Sequence, residues 1–247
     1  MNLLFLAAGT SGRILKISKG LPKPLIKIKN YSILERNFKW IIKYKFIKKY
    51  FINTYFKPQY IINEIKKIKK RYGIKVKIIK EKKLLGTAGA IKKIEKKLGN
   101  LFFVIYSDNL LNFNLFKMIE FHNKKKSDIT MALYSIKKNH FTGIASSSIK
   151  LDKKNRIVRF DEKRSGKGNS KYLVNTGVII FNNKIFKYIK KNQFTDLSND
   201  VFKRIVKYKS VKFYGYKIEK KGYCLAIDTP QAYKNLCKLL KKIQLIN

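Results

Sequence analysis

Residues 6–13, Leu-Ala-Ala-Gly-Thr-Ser-Gly-Arg, are the first stretch of this 247-residue chain with the makings of a binding loop. Ala7, Ala8, Gly9 and Gly12 carry little or no side chain, so their backbone can approach a ligand closely. Exposed N–H groups in such a loop form a concavity for anions, and Arg13 adds a rigid fork of donors suited to phosphate. The stretch is not a Walker loop, because no Gly-Lys-Ser/Thr follows, and it lacks the three-glycine dinucleotide fingerprint. Alone, it is equally well a tight strand-to-helix turn. Further on, Pro22-Lys23-Pro24-Leu25 frames one lysine between two prolines, which stiffen the backbone and can hold its ammonium near a phosphate. Asp108 follows the apolar run 101–107. A carboxylate there is costly unless it is paired or holds a metal, although it could also cap the following helix.

These groups need a scaffold that brings loops together. Apolar runs suited to buried strands at 2–7 and 101–107, a second strand at 49–55 and a short alternating strand at 75–79 are interleaved with helical spacing at 32–44, 59–72, 88–98 and 114–125. That alternation predicts a mainly parallel sheet covered on both faces. Beyond residue 127, strand-like runs at 129–136, 144–151, 157–161 and 174–181 are broken by turn signals at 152–155 and 165–170. They predict antiparallel strands added beside the first half. Helices return at 184–191, 198–208 and 230–240, around short strands at 211–216 and 223–227. The expected fold class is therefore α/β, a mixed and mainly parallel sheet with helices on both faces. No linker or internal repeat divides it, so the reading is one domain over 1–247, with halves 1–127 and 128–247.

Hydrophobic residues at 45% and aromatics at 13% exclude general disorder despite a formal charge of +44. No run approaches the roughly 20 apolar residues of a membrane helix, so no membrane insertion is expected. The opening LLFLAA lacks a basic flank and is too short for a leader, so it reads as a buried strand. Cys224 and Cys237 have no metal-ligand spacing and suit a reducing cytoplasm. Only seven of the 58 basic residues are arginine, and lysines run along the whole chain with abundant Ile and Asn, all of them residues with AT-rich codons. The charge then reads as a biased, solvated surface that attracts anions generally, without a specific nucleic-acid partner.

The loop 6–13 followed by 22–25 resembles the opening of the sugar-nucleotide pyrophosphorylases, the sugar-1-phosphate nucleotidyltransferases that make GDP-mannose, dTDP-glucose and their relatives. The likeness continues in order through LLGTAGAI at 84–91, YSDNL at 106–110, FDEK at 160–163, NTGVIIF at 175–181, DLSNDVFKRIV at 196–206 and GYCLAIDTPQAY at 222–233. It implies a Rossmann-like fold of the nucleotide-diphospho-sugar transferase type, with a nucleotide-binding first half and a sugar-phosphate-binding second half. It implies joining a nucleoside triphosphate to a sugar 1-phosphate with Mg²⁺ and release of pyrophosphate. By the same resemblance, Leu6, Ala8, Gly9 and Gly12 would hold base and ribose, while Arg13 and Lys23 would take phosphate charge. Gly86 and Thr87 would line the base pocket, and Asp108 would hold magnesium. Glu162 would bond the sugar and Lys163 its phosphate, with Asn175, Thr176 and Gly177 shaping that side of the cleft.

The chemistry needs the same residue types. A sugar 1-phosphate is already an anionic nucleophile, so attack at the α-phosphorus requires no general base. The work is to join two polyanions, align them, and stabilise charge on the transferring group. Basic side chains, backbone amides and a carboxylate-bound Mg²⁺ do this, and no catalytic histidine is expected. His122 and His140 indeed stand outside every motif.

Two departures mark this chain. Ser11 stands where the family's loop has glycine. Near the C-terminus the family commonly reads Asp-Ile-Gly-Thr-Pro, its Asp being the second metal ligand, whereas this chain has Ala226-Ile227-Asp228-Thr229-Pro230. Asp228 either reaches the metal after a local shift or caps the helix starting at Pro230. The YSDNL and DLSNDVFKRIV segments and the length resemble short guanylyltransferase-like members, which implies GTP with mannose- or heptose-1-phosphate. The alternative is dTTP with glucose-1-phosphate. Ala226 motivates a reading of another class, a catalytically weak relative acting as sensor or assembly subunit. Self-association is left open.

Overall fold

The computed structural model describes residues 1–14, 16–136, 147–162 and 173–243. Strand β1 (Asn2–Leu6) opens the chain, and a two-strand hairpin of β2 (Lys27–Ile28) and β3 (Tyr31–Ser32) leads into helix α1 (Ile33–Ile41). Ser32 caps that helix by accepting the Glu35 amide. Then come β4 (Lys49–Thr54), α2 (Pro58–Tyr72) and β5 (Val76–Lys80). Pro58 opens α2 at the position where a missing N–H costs nothing, and left-handed Gly73 closes it. Next are α3 (Gly86–Lys93), α4 (Glu95–Leu98), β6 (Leu101–Tyr106), β7 (Asn109–Asn112) and α5 (Leu115–Lys124). The second half contributes β8 (Ile129–Ser135), β9 (Ser147–Leu151), β10 (Ile157–Glu162) and β11 (Leu173–Asn182). It ends with α6 (Lys203–Ile205), β12 (Phe213–Lys217), β13 (Tyr223–Ala226) and α7 (Pro230–Ile243).

The main sheet runs β10-β9-β11-β6-β1-β4-β5, with β8 paired to β11 and β12 to β8. Strands β6, β1, β4 and β5 are parallel, with Leu3 set between Tyr50 and Phe103. β11 joins this block antiparallel to β6. Alternation along β1 divides the core: Leu3 and Phe5 pack on one face with Phe38, Ile65 and Met118, and Leu4 packs on the other with Ile91, Leu197 and Phe202. Helices thus cover both faces, as the sequence pattern predicts. Among the described residues, no helix is long and apolar enough to cross a membrane.

The differences from expectation have local causes. The helix expected over 88–98 breaks at Ile94 into α3 and α4. The segment 184–191 forms a tight 3-10 coil over Asn183–Tyr188, while 198–208 winds as a π-turn over Leu197–Phe202 before α6. Strand β7, which begins at the end of the YSDNL segment and runs on to Asn112, is not foreseen by the sequence pattern, because only its partner β13 gives it a ladder. The turn expected at 165–170, the start of the strand expected at 144–151, His140 and Lys163 lie outside the described residues.

The topology decides where a ligand can sit. From β1 the chain passes to β4 and β5 on one side, then returns to β6 on the other. Loops leaving the carboxyl ends of β1 and β6 therefore diverge and open a crevice between them.

Candidate active site

The crevice is a cavity of about 570 Å³. Its walls include Leu6 to Gly12, Lys23, Gly86, Thr87, Tyr106, Asp108 and Phe194. Leu6, Ala8, Gly9, Gly12, Gly86 and Thr87 are thus brought to one cavity although they come from two separate segments, the end of β1 with its following loop and the first turn of α3. Arg13 belongs by its backbone to the single turn Gly12–Ile14, and its side chain lies outside the described residues.

Ser11 explains its own departure from glycine. It sits at φ 61°, where a side chain costs on the order of 1 kcal/mol. Its hydroxyl accepts the Lys23 amide at 2.8 Å, and its carbonyl accepts the Ile14 amide at 3.0 Å. A net hydrogen bond is worth about the same 1 kcal/mol, so the serine offsets its strain by fastening the Pro22–Pro24 frame to the loop.

That frame delivers Lys23 between two carboxylates. Its ammonium donates to Asp228 Oδ1 at 2.8 Å and Asp108 Oδ2 at 3.2 Å, with the lysine side chain only 13% exposed. Burial alone would lower the Lys23 pKa, but Asp108 and Asp228 outweigh it and the net shift is upward, so the side chain stays charged. The convergence follows from strand pairing: β13 runs antiparallel to β7 with Ala226 opposite Asn109, so the residues past Ala226 lie beside those before Asn109. Two residues on, Asp228 reaches the cation that Asp108 faces. The contact Asp228 forms is this ion pair with Lys23, while the hydroxyl that accepts the Ala232 amide at 3.2 Å at the start of α7 is that of Thr229.

A smaller cavity of about 100 Å³ lies on the other side of Asp108. Glu162, Asn175, Gly177, Cys224, Ala226 and Asp228 line it, and Tyr106 and Asp108 line both cavities. Gly177 has φ 81°, and a Cβ there would stand 2.8 Å from Tyr106 Cβ, so glycine lets the tyrosine close the boundary. Thr176 is different from its neighbours. The pairing of β11 with β8 slips between Asn175 and Ile179, and the Thr176 hydroxyl fills the gap by donating to Ala132 O at 3.0 Å and accepting the Val178 amide at 3.1 Å. Its side chain is buried within the sheet, so it supports the bulge that turns Asn175 and Gly177 into the cleft. Burial, then Asp228 and Asp108, push the Cys224 thiol far up, and its sulfur donates to Thr176 O at 3.5 Å. It is a packed, protonated thiol.

Sequence reading missed the supports beneath the first cavity. The Ala7 amide donates to Asn53 Oδ1 at 2.8 Å, Asn53 Nδ2 donates to Glu81 Oε1 at 2.6 Å, and the Leu85 amide donates to Glu81 Oε2 at 3.1 Å. Asn53 and Glu81 are both buried. This relay crosses two strand ends and ties the loop after β1 to the loop before α3. A polar residue ending an otherwise apolar strand was the available signal at Asn53. Thr87 is likewise fastened, donating to Asp196 at 2.9 Å and accepting the Leu197 amide at 2.7 Å.

A doubly wound sheet whose switch-point crevice joins a small-residue loop, a buried lysine and paired carboxylates is of the α/β class that holds its ligands at the carboxyl ends of the strands. The nucleotidyl transferase family profile matches residues 3–223, and the chain belongs to that family. It is similar to the D-glycero-alpha-D-manno-heptose 1-phosphate guanylyltransferase of Aneurinibacillus thermoaerophilus, 29% identical over 243 residues, covering 98% of this chain and 99% of that one. Mannose-1-phosphate guanyltransferase 2 of Candida glabrata is 25% identical over 237 residues, covering 94% of this chain but 63% of the longer relative. The crystal structure of HddC from Yersinia pseudotuberculosis has the same fold, with a TM-score of 0.79 at 24% identity over 97% of this chain and 99% of that one. A putative glucose-1-phosphate thymidylyltransferase from Bacillus anthracis matches with a TM-score of 0.80 at 18% identity, over 100% of this chain and 98% of its own.

Proposed function

We propose that this nucleotidyl transferase joins GTP to mannose- or heptose-1-phosphate, releasing pyrophosphate. The observation that carries the reading is that Asp108 stands on the wall shared by two cavities, with Lys23 and Asp228 beside it. The larger cavity would take the nucleotide, with the residue 6–12 loop and Gly86–Thr87 around base and ribose. The smaller would take the sugar, with Glu162, Asn175 and Gly177 around its hydroxyls, and Lys163 at its phosphate. Residues 1–127 would then form the nucleotide half and 128–247 the sugar-phosphate half.

Asp108 and Asp228 would hold Mg²⁺. Two carboxylates that already converge on one cation within 3.2 Å are a donor set suited to a hard divalent ion. Such an ion supplies neutralisation of phosphate oxygens and a template for the triphosphate. Lys23 would turn its ammonium, released from sharing both carboxylates, to the charge developing on the transferring phosphoryl group. Arg13 would take charge on the triphosphate from the adjacent loop. The Ser11 hydroxyl and the Asn53–Glu81 relay would keep these groups in place, so that little reorganisation remains at the moment of attack.

The heptose and mannose relatives favour guanosine, and the thymidylyltransferase likeness keeps dTTP with glucose-1-phosphate as the alternative. The sensor or subunit reading rests on Ala226, and the ion pair of Asp228 with Lys23 beside Asp108 supports the enzyme reading over it. The test is pyrophosphate release from purified protein with each triphosphate, each sugar 1-phosphate and Mg²⁺. GTP with mannose- or heptose-1-phosphate should give the highest kcat/KM; no pyrophosphate from any combination would overturn the enzyme reading.

A further inference from the structure

The rim of the larger cavity carries a side chain that this chemistry leaves without a task. Phe194 lines the cavity yet is 60% exposed. Scattered exposed aromatics are ordinary, but this one sits on a backbone held from several directions. The Thr195 carbonyl accepts the Ala88 and Gly89 amides at 2.9 and 3.1 Å, and the Thr195 amide donates to Leu85 O at 2.9 Å. Gly86 and Gly89 allow this approach, since a Cβ would stand 2.5 Å from Thr195 O at the first and 2.9 Å from Gln193 O at the second. Asp196, next along, holds the Thr87 hydroxyl. The phenyl ring is therefore presented by a segment clamped to the first turn of α3, the same turn that contributes Gly86 and Thr87 to the cavity.

We infer that Phe194 is the stacking platform for the nucleobase and favours a purine over a pyrimidine. The inference rests on the reading of the larger cavity as the nucleotide site. A flat ring with two torsions on a fixed backbone loses little freedom when a base covers it, and the contact removes exposed apolar surface from water. Stacking tolerates any base but grows with its area, so the larger purine gains more. The hydrogen-bonding groups of the loops would then select among purines, while Phe194 sets the size class.

Steady-state kinetics with GTP, ATP and dTTP on Phe194→Ala, Phe194→Leu and Phe194→Tyr test it. The alanine and leucine variants should raise the KM for GTP and ATP about tenfold and that for dTTP distinctly less, with kcat and Tm close to the parent. The tyrosine variant, which keeps a flat face, should stay near parental KM. Phe194→Trp should show indole emission quenched by GTP and not by inorganic tripolyphosphate, over a constant background from buried Trp40. If the parent binds GTP while Phe194→Ala keeps its KM and Phe194→Trp shows no quenching, the platform is wrong and the nucleotide site stands. If the parent binds none of the three triphosphates, the site assignment falls and the platform with it.

Discussion

Asp228 Oδ1 accepts from the Lys23 ammonium at 2.8 Å, joining the residue before Thr229-Pro230 to the Pro-framed lysine near the other end of the chain. In the proposed chemistry this contact makes Asp228 the displaced counterpart of the missing carboxylate. Where relatives were expected to carry a carboxylate, this chain has buried Ala226, directly opposite Asn109 in the ladder. Two residues further along, Asp228 meets Asp108 around one cation. In the proposed chemistry, Asp228→Asn should lower kcat on the order of a hundredfold and raise the Mg²⁺ concentration for half-activation. Asp108→Asn should abolish turnover while urea unfolding changes by no more than about 1 kcal/mol, since Asp228 still neutralises Lys23. An unchanged Mg²⁺ requirement in Asp228→Asn would remove it from the metal site.

Ser11 separates stability from activity. Ser11→Gly places the residue that tolerates φ 61° at no steric cost, so Tm should hold or rise slightly. The same change deletes the acceptor for the Lys23 amide, so kcat/KM should fall several-fold. Ser11→Ala keeps the strain and loses the bond, and should lose on both measures. Parental kcat/KM in Ser11→Gly would show that the Pro22–Pro24 frame needs no tether.

The Asn53–Glu81 relay predicts a coupled loss. Asn53→Ala leaves a buried carboxylate oxygen and the Ala7 amide without their partners, costing about 1–3 kcal/mol by urea unfolding. Because the relay joins the two loops of the larger cavity, the KM for nucleotide should rise while the KM for sugar phosphate stays near parental. A stability loss with both KM values unchanged would confine the relay to packing.

What the sequence disclosed and withheld follows from the range of the interactions. The central strands were legible because Asn2–Leu6 and Leu101–Tyr106 are apolar on both faces, a local pattern with few alternative structures. The Gly-rich loop and Asp108 stand out as residue types at strand ends, and Lys23 stands out by its two flanking prolines. Asp228 was not decidable, since its reach depends on the β7–β13 register, set by residues more than a hundred positions apart. Glu81 and Thr195 are silent in the sequence for a related reason: Glu81 is held by the Asn53 side chain on another strand, and Thr195 by backbone groups of a distant segment. Thr176 shares a motif with Asn175 and Gly177, which gives no sign that the bulge in β11 turns its hydroxyl into the sheet.

His122 gives a prediction in pH. Its Nδ1 lies 2.8 Å from the Thr130 hydroxyl, and burial lowers its pKa from 6.5 to about 4, with Asp128 pulling weakly the other way. Above pH 6.5 the ring is neutral in both folded and unfolded chains and contributes no slope. As pH falls below that value the unfolded chain takes up a proton that the folded chain refuses, so stability is lost progressively down to about pH 4. The slope approaches about 1.4 kcal/mol per pH unit within that window. Carboxylates contribute mainly at lower pH, so urea unfolding between pH 7 and 5 isolates the histidine. His122→Gln, which can still bond Thr130 but does not titrate, should flatten the profile there. Parallel profiles for the parent and His122→Gln would mean that His122 is protonated as readily inside the fold as outside it.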